Sequence, residues 1–145
     1  MKKYLLTVAS LLVLAATSAF AEAKWLTDYD KALEQAGKEN KLVLLDFTGS
    51  DWCGWCVKLN KEVFDKKEFK EYAAKNLVLV EIDFPKSKHQ SPAVKKQNEY
   101  LQGKYQVEGF PTIYLVDSKG TKVAQGGYME GGPEAFIKWI AQYRK

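Results

Sequence analysis

Apolar residues along this chain fall into short runs with two different spacings. Leu42 to Phe47 (LVLLDF) and Leu77 to Asp83 (LVLVEID) are nearly continuous, the pattern of strands covered on both faces. Pro111 to Asp117 (PTIYLVD) reads as a third strand. The turn signal Asp117-Ser118-Lys119-Gly120 then leads into a short strand from Thr121 to Gln125, which makes a hairpin. Between these runs the spacing is helical. Trp25, Tyr29, Ala32, Leu33 and Ala36 share one face of a helix over 25–37 that Gly37 would end. A second helix is expected to begin near Cys53 and run past Leu59, with Phe64, Phe69, Tyr72 and Ala73 carrying helical structure on to Ala74. Ser91-Pro92 starts a third, with Ser at the N-cap and Pro at the first helical position, running to about Tyr105. Its Tyr100, Leu101 and Tyr105 read as core. Pro133 opens the last helix, whose apolar face is Phe136, Trp139, Ile140 and Tyr143. Strands alternating with helices imply an α/β fold with a parallel core, and the terminal hairpin makes the central sheet mixed.

Residues 1–21 stand outside this pattern. Lys2 and Lys3 precede a short apolar stretch, Leu5 to Ala16, and Ala19-Phe20-Ala21 offers small residues at a cleavage spacing. This is the form of a secretory signal peptide cut between Ala21 and Glu22. The apolar stretch is shorter than the roughly 20 residues that a spanning helix needs. Residues 22–145 are then one domain, of ordinary globular composition. Losing Lys2 and Lys3 lowers the net charge from +4 to +2. So mild a balance argues against nucleic acid and against a membrane surface as partners.

Export changes how the two cysteines are read. They are the only ones in the chain and lie three positions apart, Cys53-Gly54-Trp55-Cys56. In an oxidising compartment disulfides persist, but a bridge closing so short a loop restricts the unfolded chain very little. The pair is better explained by chemistry. A helix N-terminus favours thiolate at Cys53, and thiolate is the attacking species in disulfide exchange. Cys56 lies one turn on, within reach for an intramolecular bridge. Zinc would need about four ligands, and the only further soft ligand, His89, sits alone in a polar loop; haem attachment would need His where Val57 stands. No metal and no bound cofactor are expected.

Asp46 is the next candidate. A carboxylate inside Leu-Val-Leu-Leu-Asp-Phe is costly to bury, and its pKa should rise. It could accept the proton that Cys56 must lose before attacking a mixed disulfide. An aspartate that merely caps the loop after the strand is the competing reading. Trp52 is expected to lie exposed beside Cys53 as a flat apolar contact for partners. Asp51, just before it, would disfavour the thiolate through like charge.

The segment from Asp46-Phe47 through Trp52-Cys53-Gly54-Trp55-Cys56, with Phe110-Pro111-Thr112 following a βαβ unit, resembles the thioredoxin superfamily, and in particular exported bacterial thioredoxin-like proteins that open Gly-Ser-Asp-Trp-Cys-x-x-Cys. The resemblance spans residues 25–143. It implies a thioredoxin fold, with Pro111 in a cis bond that turns the Phe110 backbone outward for a substrate strand. A proline that only starts a strand is the plainer alternative. It also matches Gly126 and Gly127 to the glycine lining the substrate groove, although turn geometry alone would explain them, and places Trp55 in the dipeptide that tunes the potential. Departures are Asp46 one residue further from the first cysteine, Glu81 where a lysine is usual, and a longer segment 84–104 whose loop would shape partner choice.

The expected function is thiol–disulfide exchange in the periplasm, by a monomer acting on protein thiols and disulfides. Reduction of exported proteins, recharged by a membrane electron donor, is the reading adopted. An oxidase or isomerase, or a non-catalytic binding or chaperone module, are the alternatives.

Overall fold

The computed structural model describes residues 22–144. The expected signal peptide, 1–21, lies outside the described residues. The elements are β1 (Trp25–Leu26), α1 (Tyr29–Glu39), β2 (Leu42–Thr48), α2 (Gly54–Leu59), a π-helical turn (Asn60–Phe64), α3 (Lys67–Asn76), β3 (Leu77–Asp83), α4 (Pro92–Tyr105), β4 (Thr112–Val116), β5 (Lys122–Gly126) and α5 (Gly132–Ala141). The five strands form one sheet in the order β1-β3-β2-β4-β5. β1 and β2 run parallel to β3, while β4 is antiparallel to β2 and β5 to β4. The sheet is therefore mixed, as expected.

Alternation along the strands sorts the apolar runs onto two faces. Val43, Leu45 and Phe47 of β2, with Val78, Val80 and Ile82 of β3, pack under α1 and α4 against Ala32, Ala36, Leu101 and Tyr105. Leu44, Leu77, Leu79, Ile113 and Leu115 face the other way, toward Leu59, Phe69, Ala73, Phe136 and Ile140. β2 is central and buried along nearly its whole length, which is why its sequence shows no polar side.

The N-terminal segment differs from expectation. Trp25 and Leu26 pair with Leu79 and Val80 as an edge strand, so the first helix starts only at Tyr29. Asp28 caps it by accepting from the Lys31 N–H. The helix also runs past Gly37 to Glu39, and Asn40 ends it in the left-handed conformation with φ 52°. Of the two ways of reaching Ala74, continuing or restarting, the chain restarts. Asp65 N–H donates to Asn60 O, five residues back, and Lys66 separates this wide turn from α3. Tyr100 is not core. Asn98, Leu101 and Tyr105 define the buried stripe of α4, and Tyr100 faces solvent.

Phe136 stacks edge-on against Phe64, Phe69 and Trp139, with centroids 5.4–6.0 Å apart. Truncating it empties the middle of the second core. Phe136→Ala should cost about 3–5 kcal/mol in chemical denaturation, while Tyr100→Ala should stay within about 0.5 kcal/mol.

Candidate functional site

β2 ends at Thr48, and Gly49–Trp52 carry the chain round to α2. Gly49 O accepts from the N–H groups of both Trp52 (3.2 Å) and Cys53 (2.9 Å). Trp52 lies across Gly49 so closely that a Cβ there would run into its indole ring. The tight turn places Cys53 as the N-cap of α2, in extended conformation, with its Sγ accepting the Cys56 N–H at 3.2 Å. Cys53 and Cys56 form a disulfide with Cα atoms 5.2 Å apart. Cys53 is 7% exposed and Cys56 only 2%. Both cysteines are thus buried, Cys56 the more completely.

Further elements meet beside Trp52, the residue before Cys53. The Phe110–Pro111 bond is cis. Gly127, just beyond β5, lies against Pro111: a Cβ on it would stand 3.2 Å from Pro111 O. Trp52, 41% exposed, meets Phe110 edge-on at 5.9 Å and donates from Nε1 to Phe84 O at 2.7 Å. Phe84 in turn stacks on Phe110 at 5.1 Å. On the other side Trp55, 57% exposed, tilts against Tyr128 at 5.0 Å, and Lys58 Nζ lies 4.9 Å from the Trp55 centroid. The structure thus joins Trp52 to Phe110, places Gly127 against Pro111, and leaves Trp55 as a separate exposed ring against Tyr128. Phe84 and Tyr128 complete the two aromatic clusters. Sequence reasoning passed over both, although each is an aromatic immediately after a strand end or a glycine pair.

Asp46 is buried on the β2 face shared with α2, α3 and α5, in register with Glu81 of β3 and Ile113 of β4. Neither Asp46 Oδ1 nor Thr48 Oγ1 has a hydrogen-bond partner among the described residues. Burial first, and then the charges of Glu81 and Asp83, push the Asp46 carboxyl well above the ordinary carboxylate range. Glu81, half-buried, is raised by its own desolvation and by Asp83, against the opposing pull of Lys88. Where a lysine was the usual neighbour, the acid here faces another acid.

Asp51, the like charge expected near the thiolate, has backbone partners that keep it ionised. Its carboxylate is taken up by the backbone N–H groups of Lys86, Ser87 and Lys88 at 2.7–3.1 Å, which hold its pKa below the usual range.

Residues 29–144 match the thioredoxin-like domain family. The chain belongs to that family. It is 38% identical over 122 residues to the disulfide bond reductase DsbH of Chlamydia pneumoniae, across 84% of this chain and 73% of that protein. It is 30% identical over 103 residues to the thioredoxin-related protein DsbJ of the same organism, covering 71% of this chain but 30% of DsbJ. Among solved structures, a DsbH oxidoreductase superposes with a TM-score of 0.81 at 34% identity over 94% of both chains. The oxidised C-terminal domain of DsbD from Neisseria meningitidis, at 23% identity and a TM-score of 0.56 over 79% of this chain and 89% of that domain, shares the fold. The chain is thus homologous to DsbH-type thiol–disulfide oxidoreductases, and it carries the Cys53–Cys56 disulfide on which such exchange depends.

The buried acid makes stability pH-dependent. A raised folded-state pKa means the folded protein binds the Asp46 proton more tightly than the unfolded chain does. Stability therefore falls as pH rises from the unfolded carboxylate value, about 3.9, through the raised folded value. Asp46→Asn should be more stable than wild type at neutral pH and should flatten this slope, as measured by urea denaturation between pH 4 and 9.

Proposed function

We propose that this protein is a periplasmic reductase of disulfides in exported proteins, delivered by cleavage of its leader after Ala21 and working as a monomer. Cys53 is the nucleophile and Cys56 the resolving thiol. In the reduced form the Cys53 thiolate attacks one sulfur of a substrate disulfide. That bond breaks, a mixed disulfide to Cys53 forms, and the departing substrate sulfur takes up a proton. Asp46, as carboxylate, accepts the Cys56 proton. The Cys56 thiolate then attacks Cys53 Sγ, which releases the second substrate sulfur and leaves the Cys53–Cys56 disulfide. Two electrons pass to the substrate, and the disulfide itself carries the redox change without a bound cofactor. A membrane dithiol donor returns the site to its reduced form.

The observation that carries this reading is the arrangement at the head of α2. Cys53 caps the helix with its sulfur bound by the Cys56 N–H, and of the two cysteines it is the less deeply buried. A sulfur hydrogen-bonded by a helix N-terminal amide is stabilised as thiolate. Trp52, Phe110, Pro111 and Gly127 form the shelf on which an extended substrate segment lies, and Trp55 borders it across the disulfide. Asp46 suits the proton-transfer role because it is buried, unpartnered through Oδ1 and of raised proton affinity. The direction is supported by the kinship with DsbH, a disulfide bond reductase.

Cysteine variants test the division of labour. Cys56→Ser should accumulate a mixed disulfide with protein substrates that dithiothreitol releases, seen as a mass shift on non-reducing gels. Cys53→Ser should trap nothing and reduce disulfide turnover to background. Turnover surviving in Cys53→Ser would contradict the assignment.

A further inference from the structure

The polar loop between β3 and α4, residues 84–91, is latched to the approach to the cysteines. Asp51 Oδ1 accepts from Lys86 N (2.9 Å), and Oδ2 from Ser87 N (2.7 Å) and Lys88 N (3.1 Å). Three consecutive amides closing on one carboxylate form an anion nest whose anion is a side chain of the protein itself. Beside it, Asp83 accepts from Ser50 N at 2.9 Å and Ser50 Oγ at 2.5 Å, and Lys88 Nζ donates to Ser50 Oγ at 3.2 Å. Trp52 Nε1 closes on Phe84 O. Ser50, Asp51 and Trp52, the three residues before Cys53, are therefore each bonded to β3 or to this loop.

The latch sets where charge falls. Lys86 is exposed, and its Nζ stands 4.3 Å from the Trp52 ring centroid. Asp51 and Asp83 direct their carboxylates to backbone N–H groups and to Ser50 rather than to Lys86. Lys88 Nζ is tied to Ser50 Oγ, whereas Lys86 makes no ion pair among the described residues. Across the disulfide the balance differs: Lys58 has Glu62 at 4.0 Å, and Tyr128 donates to the same Glu62 at 2.7 Å. What distinguishes the Trp52 side is a single ammonium group, Lys86, held against the ring without an ion pair among the described residues.

Building on the reductase reading above, we infer that the loop is a specificity wall. Lys86 selects substrate segments carrying an acidic residue where they pass Trp52, and Asp51 is the positioning residue that holds the loop in place. An exposed ammonium–carboxylate pair contributes up to about 1 kcal/mol, or roughly a fivefold preference at best, and the preference fades as salt screens it.

The test uses two synthetic disulfide-bonded peptides, identical except for Asp or Lys beside the attacked cysteine, reduced by the dithiol form of the protein. Wild type should favour the Asp peptide about threefold in kcat/KM at low salt, and about equally treat the two at 1 M salt. Lys86→Glu should invert the preference. Asp51→Asn should erase it through a higher KM for the Asp peptide, with the reduction potential of Cys53/Cys56 unmoved. Equal handling by wild type at low salt, or a preference retained in either variant, overturns the inference while leaving the reductase reading intact. Failure to reduce either peptide overturns both.

Discussion

The burial of β2 on both faces is the constraint on which the rest of this structure depends. A central strand flanked by β3 and β4 must present apolar side chains up and down, and Leu42–Phe47 does so at every position but one. The same strand aims its C-terminal end at the turn that starts α2. Whatever fixes β2 therefore fixes Cys53. The hydrogen bonds from Trp52 and Cys53 to Gly49 O, and the indole laid over Gly49, convert that strand end into a helix cap with a sulfur at its head. Core packing and catalytic geometry are here one problem, since α2 is held down by Leu59 from the same layer that buries Leu44.

The exception in β2 is Asp46, and it sits in an unusual electrostatic setting. Strand register places Asp46 beside Glu81, and Thr48 beside Asp83. All four side chains project from the C-terminal ends of two parallel strands onto one face. A cation among them would lower the proton affinity of the buried acid; a second and third carboxylate raise it. The cost in stability at neutral pH is borne by the two cores. What it supplies is a group of high proton affinity on the same side of the sheet as α2. The arrangement also separates two roles that acids can play in this fold. Asp46 has an unpartnered Oδ1 and a raised proton affinity, whereas the Asp51 carboxylate accepts from three amides and is lowered.

Much of this was legible in the sequence because the strongest signals are local. Leu77–Asp83 and Pro92–Tyr105 form the elements their patterns announce: a β-rich apolar run, and a Ser-Pro cap ahead of a helical stripe. The cysteine pair was readable from spacing and from the strand before it. What escaped depends on distant partners. Two residues cannot show an alternation, so Trp25–Leu26 becomes a strand only through its pairing with β3. Asp51 looks like a free charge until the loop 35 residues further on folds back onto it. Phe84 and Tyr128 join the site through ring contacts that leave no periodic trace. Tyr100 was misassigned for a different reason: neighbouring positions on a helix differ by a large rotation, and its neighbour Leu101 holds the buried phase.

The central claim, that Cys53 and Cys56 form a reducing pair, is tested most directly by their reduction potential. The protein would be equilibrated with dithiothreitol or glutathione buffers and its free thiols counted by mass. The account predicts a value toward the reducing end of the family's range, near −270 mV. A value near −120 mV would make the pair a disulfide donor and contradict it.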